Sequence, residues 1–444
     1  MAAPAASRVK TFLALMGVIA IPVTYGLVTG WNPLPGLESK VTGWFDRPRV
    51  LSQPAPAWVV RPADQPSSAA GVGNVVLLAG SSTIDARDQR TGASRWSRSA
   101  DWSALAGAPN RGGIVVVLGT RGKGLLVVSP DTGIPLWSDP KASGVWTFAD
   151  LVLSASCQDA FTCTVAAHSP YSAGVLWQVS VSGTARTFTG ANQPLSQVRP
   201  LGSLQPAGLA AVPEPAPNLL GFPFDNQVQV VDIRSGHRVR SYKSSDSTRV
   251  TVAGDRVLVS TAQYRDGRCR FAASARDPAT DREVWHRDGY DLGTSGGLGC
   301  DQRRDPAGGG GLVAAVAPDG RGALLRISGG GVAYQTGQDE SLVATDGVMA
   351  VVRSANGATV RGVRVADGGE VWHRPAGRSA QIAALPGAVV LADPGGGRLV
   401  VLADSGGVLV DAKSTATVLG YADHGVVINI GRSLGLLPYG SISS

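Results

Sequence analysis

The sequence predicts an all-β fold, and three observations carry that prediction. Glycine and proline are abundant (58 and 28 of 444 residues), while charged residues make up only 16%. That composition disfavours long helices rich in Glu and Lys and suits a turn-rich β protein. Short apolar runs such as NVVLLAG, GIVVVLG, QVQVVDI and GRLVVLAD recur between glycine and aspartate boundaries. β-Branched runs of four to seven residues read as strands buried on both faces. A turn followed by tryptophan also repeats, in ARDQRTGASRW (86–96), SPDTGIPLW (129–137) and ARDPATDREVW (275–285).

Aligned on that tryptophan, the chain falls into eight units. Their marker positions are Trp96, Trp137, Trp177, Arg240, Trp285, Tyr334, Trp372 and Val410. The mean period of about 45 residues leaves room for about four strands each, which is the arithmetic of a propeller blade. The expectation is a single β-propeller of about eight four-stranded blades, within a range of seven to nine, over residues 58–440. Trp58 lies 38 residues before Trp96 without a full unit ahead of it. It is therefore expected to complete the last blade and join the ends of the ring, which counted literally makes a ninth unit.

The physical role expected of the repeat is docking. A blade cannot bury both faces alone and packs against its neighbours. A tryptophan on an outer strand brings roughly 150–250 Å² of surface. A glycine turn on the next blade offers a flat surface for the ring to lie on. The docking residues are Trp58, Asp88, Thr91, Gly92, Trp96, Asp131, Thr132, Gly133, Trp137, Trp177, Asp277, Trp285 and Trp372. Trp96, Trp137 and Trp285 are expected to be largely buried.

The N-terminus carries the targeting signal. Arg8 and Lys10 precede an uncharged stretch, Thr11 to Gly30, long enough as a helix to cross one bilayer core. The flanking positive charge puts residues 1–10 in the cytoplasm and everything after residue 30 outside it. A cleaved signal peptide is the rival reading, but no clean small-x-small site lies near residues 25–35. Residues 31–57 read as a Pro-rich linker. Four cysteines fit an extracytoplasmic location. Of the three possible pairings, Cys157–Cys163 and Cys269–Cys300 keep each bridge within one repeat. The cysteines lack metal-ligand spacing.

The charge of +7 comes from scattered arginines, with no basic run beyond pairs such as Arg303-Arg304, so nucleic acid is not the expected partner. No Gly-x-Ser-x-Gly, His-Glu-x-x-His or P-loop occurs. Five glutamates and five histidines supply no catalytic set. Glu283, Glu370, His286 and His373 recur at equivalent places beside the tryptophan, and His168, His237 and His424 are isolated. The candidates for a binding surface are the insert 187–224 and the polar stretch 288–311, with Asp301, Arg303, Arg304 and Asp305 as a candidate loop. A local salt-bridge knot is the alternative for those four.

At the repeat the chain resembles a known family. ARDQRTGASRW matches throughout the Ala-x-Asp-x-x-Thr-Gly-x-x-x-Trp docking motif of pyrroloquinoline-quinone (PQQ)-type propellers. Ala275, Asp277, Thr280 and Trp285 match it with Asp281 in place of the glycine. The family includes quinoprotein alcohol dehydrogenases and non-enzymatic members, among them the propeller subunit of the outer-membrane β-barrel assembly machinery. The enzymes hold PQQ on the axis with a vicinal disulfide and a Glu/Asn/Asp calcium set. This sequence has no adjacent cysteines, so the resemblance implies no cofactor here. The expectation is a membrane-anchored extracytoplasmic propeller acting without catalysis as a binding, scaffold or sensor module for a protein or cell-envelope ligand. A PQQ-dependent dehydrogenase with an atypical site is the alternative.

Overall fold

The computed structural model describes residues 55–439, apart from 159–161, 183–196, 203–212, 225, 297–298, 301–303, 386 and 423–424. The expected tail 1–10, membrane span 11–30 and most of the linker 31–57 lie outside the described residues. Among the described residues, no helix is long and apolar enough to cross a membrane. The structure is all-β, relieved by one short 3-10 turn, Pro109–Arg111.

The described strands form nine antiparallel groups in chain order. Blades 1 to 3 comprise residues 68–99, 102–139 and 144–182. Blade 4 (219–243) has three described strands. Blades 5 to 8 comprise 248–288, 307–335, 340–375 and 381–413. Blade 9 combines 417–438 with the N-terminal strand Trp58–Val60. The count is one more than the eight units read from the repeat. The eight marker positions are outer strands of blades 1 to 8, whereas the ninth outer strand comes from the other end of the chain. Trp58, Val59 and Val60 pair with Leu436, Gly435 and Leu434.

Nine apolar clusters join the groups, each shared by two successive blades. Leu105, Val116 and Val128 of blade 2 pack with Leu77 and Ile84 of blade 1. At the far end Trp58, Val427 and Leu436 of blade 9 pack with Ala69, Val76 and Leu78 of blade 1, so the ring closes. This is the face-to-face packing of a β-propeller. Strands such as Val75–Ala79 are buried at every position because each has a neighbouring sheet on both sides. At the closure the two inner strands meet directly, pairing in parallel through Ala69↔Gly420 and Ala70↔Tyr421. A Cβ on Gly420 would lie 1.8 Å from the Ala69 carbonyl oxygen, so only glycine permits that contact.

Candidate binding face

Indole donors join successive blades at five junctions. The indole N–H groups of Trp58, Trp96, Trp137, Trp177 and Trp285 donate to the carbonyls of Gln89, Pro130, Pro170, Ile233 and Ile327 at 2.7–2.8 Å. In each case the acceptor belongs to the turn of the next blade. The rings of Trp58, Trp96, Trp177 and Trp285 cover Gly92, Gly133, Gly236 and Gly330, where a Cβ would stand 2.6–2.8 Å from the indole. All four glycines have φ near +70°. Trp58, Trp137, Trp285 and Trp372 are buried, but Trp96 and Trp177 are only half-buried, short of the burial expected of Trp96. Its ring lies over a surface turn whose outer residues Thr132 and Ile134 face solvent.

Within the turn, Asp88 accepts from the N–H groups of Arg90 and Thr91 and from the Thr91 hydroxyl, and Arg95 reaches its other oxygen at 2.6 Å. The Arg95 guanidinium and the Thr91 donors hold the Asp88 carboxyl well below the usual range. Asp277 is likewise lowered, chiefly by the Thr280 N–H. Asp131 does not play this part. It sits two positions further along, exposed, 3.9 Å from Arg95. Ser129 stands at the Asp88 position, exchanging backbone bonds with Gly133 and Ile134 as Asp88 does with Gly92 and Ala93. The SPDTG string and the RDQRTG string therefore align by the glycine rather than by the aspartate.

Sequence reasoning missed a second donor, the arginine two residues after the tryptophan. Arg98 and Arg287 each give Nε to the carbonyl of the covered glycine, Gly133 and Gly330, at 2.8 and 2.9 Å. The strings WSR and WHR carried that signal. His286 was read there as a repeat residue; it is exposed between Asp288 and Glu283, and Asp288 first, then Glu283, raises its pKa. His168 is buried and satisfied, between Ser154 and the Ala173 carbonyl, with the tilted Trp137 ring centred 5.2 Å away.

Strand alternation then sorts the loops. The hairpins between second and third strands and the blade-to-blade connections leave the ring at one end, and the remaining turns leave at the other. Both disulfides lie at the first end. Cys157–Cys163 crosses the central hairpin of blade 3, and Cys269–Cys300 ties the central hairpin of blade 5 to the connection toward blade 6. These are the pairings expected. The two longest connections, 183–218 and 289–306, leave at the same end; every other blade-to-blade connection has at most seven residues.

The described parts of these connections are tied down. Gly296 donates to the Asp246 carbonyl at 3.0 Å, and the Ser260 and Thr294 hydroxyls are bonded and buried. Asp305 pairs with Arg199 of the insert and lies 3.7 Å from Arg249 of blade 5. The Arg304 N–H donates to the Gly293 carbonyl at 2.8 Å. Of the candidate loop, Asp305 is thus part of a salt-bridge knot, and Asp301 and Arg303 lie outside the described residues.

The insert also bears on the cofactor. Arg199–Pro200 pairs in parallel with Ala307 and Gly308 on the inner edge of blade 6, and the Leu201 carbonyl accepts from Thr345 on the inner strand of blade 7 at 3.1 Å. The chain's own backbone therefore occupies the axis side of the ring there. The two disulfides join cysteines six and 31 residues apart. Among the described residues no group of three or more His, Cys, Asp or Glu could hold a metal. These residues do not fit PQQ with calcium.

Fold and docking device together define a closed β-propeller of tryptophan-docked blades with one elaborated face. The family described as "Outer membrane protein assembly factor BamB" matches residues 270–422, so the chain carries PQQ-type propeller repeats from blade 5 to the inner strand of blade 9. Among solved structures, BamB from Moraxella catarrhalis is 16% identical over 78% of this chain and 97% of its own, with a TM-score of 0.39. The quinohemoprotein alcohol dehydrogenase ADHIIG from Pseudomonas putida HK5 is 14% identical over 88% of this chain and 77% of its own, with a TM-score of 0.39. The computationally designed Ika8 protein is 16% identical over 80% and 97%, with a TM-score of 0.40. Superpositions this loose carry no functional reading. No curated protein matches the chain.

Proposed function

We propose that the protein is a non-catalytic binding module, held to a membrane by residues 11–30 with its propeller outside the cytoplasm. Its ligand is a protein of the cell envelope, bound by the face over blades 3 to 6. One observation carries this reading: both disulfides lie at the end of the ring where the strands flanking the two longest connections, 183–218 and 289–306, terminate. Recognition commonly resides in loops held by a rigid scaffold, and covalent bridges reduce the ordering entropy lost on binding.

Full-length protein immobilised through its C-terminus should retain an envelope protein that is lost when residues 289–299 are exchanged for a short Gly-Ser linker. Retention by that variant would refute the assignment of the face. A reporter fused after Ser444 should be active only outside the cytoplasm. Robust dye-linked turnover of alcohols or sugars after addition of PQQ and Ca²⁺ would overturn the non-catalytic reading.

A further inference from the structure

We propose that the tip of the central hairpin of blade 5 is a docking surface for an acidic segment of a protein partner. This deepens the binding-face reading and rests on it. The strands Arg256–Arg265 and Arg268–Arg276 are ten and nine residues long. Their neighbours stop short of the tip, since pairing with the inner strand ends at Thr248↔Thr261 and pairing with the outer strand at Ala272↔Asp288. Residues 263–270 therefore project as a two-stranded ribbon, which would be marginal by itself.

Side chains alternate across this ribbon, and its two faces differ. Tyr264 and Cys269 are cross-strand partners on one face. The Cys269–Cys300 bridge pins that face to the following connection, and the Tyr264 ring lies against Gly299, where a Cβ would stand 3.0 Å from it. The other face presents Gln263 opposite Arg270 and Arg265 opposite Arg268, all four exposed. Arg270 reaches Asp266 at 3.0 Å. Neither Arg265 nor Arg268 makes a side-chain hydrogen bond or ion pair with any described residue.

Like charges directly opposite one another destabilise a strand pair, and no described carboxylate relieves this pair. Two guanidinium forks side by side on an immobilised ribbon suit bidentate capture of carboxylates.

The test is a fluorescence-anisotropy titration of the full-length protein with a labelled hexaglutamate peptide. The parent should bind, more weakly as salt rises. Replacing both arginines (Arg265→Gln with Arg268→Gln) should raise Kd about tenfold. Arg321→Gln, which removes an arginine paired with Asp319 on the hairpin of blade 6, should leave it unchanged. Unaltered melting of the double variant establishes that it is folded. Equal binding by parent and double variant overturns the proposal. So does displacement of the peptide by phosphatidylglycerol vesicles at lower concentration than by free hexaglutamate, which would make the tip a membrane contact. In the envelope capture, loss of the retained protein only in the double variant supports the inference. Equal capture overturns it and leaves the binding-face reading standing. No capture by either overturns both.

Discussion

The junction between blades 5 and 6 and the junction between blades 4 and 5 do the same job with different chemistry. At the first, Trp285 lies on Gly330 and gives its N–H to Ile327, and Arg287 caps the Gly330 carbonyl. At the second, the turn carries Asp281 where the turns facing Trp58, Trp96, Trp177 and Trp285 carry glycine, in the left-handed region at φ 61°. A ring pressed to that backbone would meet its Cβ. The facing residue is Arg240, whose Nε donates to the Pro278 carbonyl at 3.2 Å and whose Nη1 is 3.9 Å from the Asp281 carboxylate. Shared by six junctions is a side-chain donor to the second residue of the turn. At the Trp58, Trp96, Trp177 and Trp285 junctions the aromatic ring is added on the flat face of a glycine.

That comparison predicts its own largest effect. Trp285→Ala removes a buried ring and should cost about 3–5 kcal/mol in denaturant unfolding. Arg240→Ala removes a half-exposed donor and should cost about 1 kcal/mol. Equal costs would mean that the ring contributes nothing beyond its hydrogen bond.

A swap sharpens the point. Arg240→Trp alone presses an indole on the Asp281 Cβ and should destabilise by about 1–3 kcal/mol. Adding Asp281→Gly should recover the loss, giving a favourable coupling of about 1 kcal/mol or more in a double-mutant cycle. Additive effects would show that the aspartate and the arginine are unrelated occupants.

The same contrast explains what the sequence disclosed. The ring was legible because its device is local: a turn, a glycine and a tryptophan at fixed spacing. Blade 4 was legible only as a degenerate unit, since nothing in IRSGHRVR says that an arginine will replace an indole. The Asp131 reading failed because it matched aspartate to aspartate, whereas the backbone aligns Ser129 with Asp88 and Asp131 with Arg90. On the candidate face, the disulfide pairs followed from repeat boundaries. The strand at Arg199 was not legible, because its partners Ala307 and Thr345 are more than a hundred residues away and no pattern in the insert marks them. The arginine face of the blade 5 hairpin appears only once register puts Arg265 against Arg268.

Turn carboxylates separate the junctions by pH. Asp88, Asp277 and Asp367 are all held below the ordinary carboxylate value. For a lowered pKa, the stabilisation is fully present above the unfolded-state value of about 3.9 and is lost as pH falls through the folded value. Asp88→Asn should therefore lower the melting temperature at neutral pH, and the gap to the parent should shrink steadily below about pH 4. A gap that stayed constant into acid would assign the Asp88 contribution to shape rather than charge.

The smallest effect lies at the junction between blades 7 and 8. There the turn is one residue tighter, with Gly406 N–H bonded to Ala403 rather than to a residue four back. Trp372 is buried against it, but its indole N–H finds no partner among the described residues. Trp372→Phe then gives up ring area while removing an orphaned donor, whereas Trp137→Phe gives up ring area and a 2.8 Å bond to Pro170. The two substitutions should differ by about 1 kcal/mol, with position 372 the milder. Because both rings are similarly buried, the area term cancels in the difference. What remains measures the indole hydrogen bond that the Pro170 carbonyl accepts and that Trp372 lacks. Equal losses at the two positions would show that the indole N–H contributes nothing to docking, and that the shared donor at the Arg240 junction is coincidence.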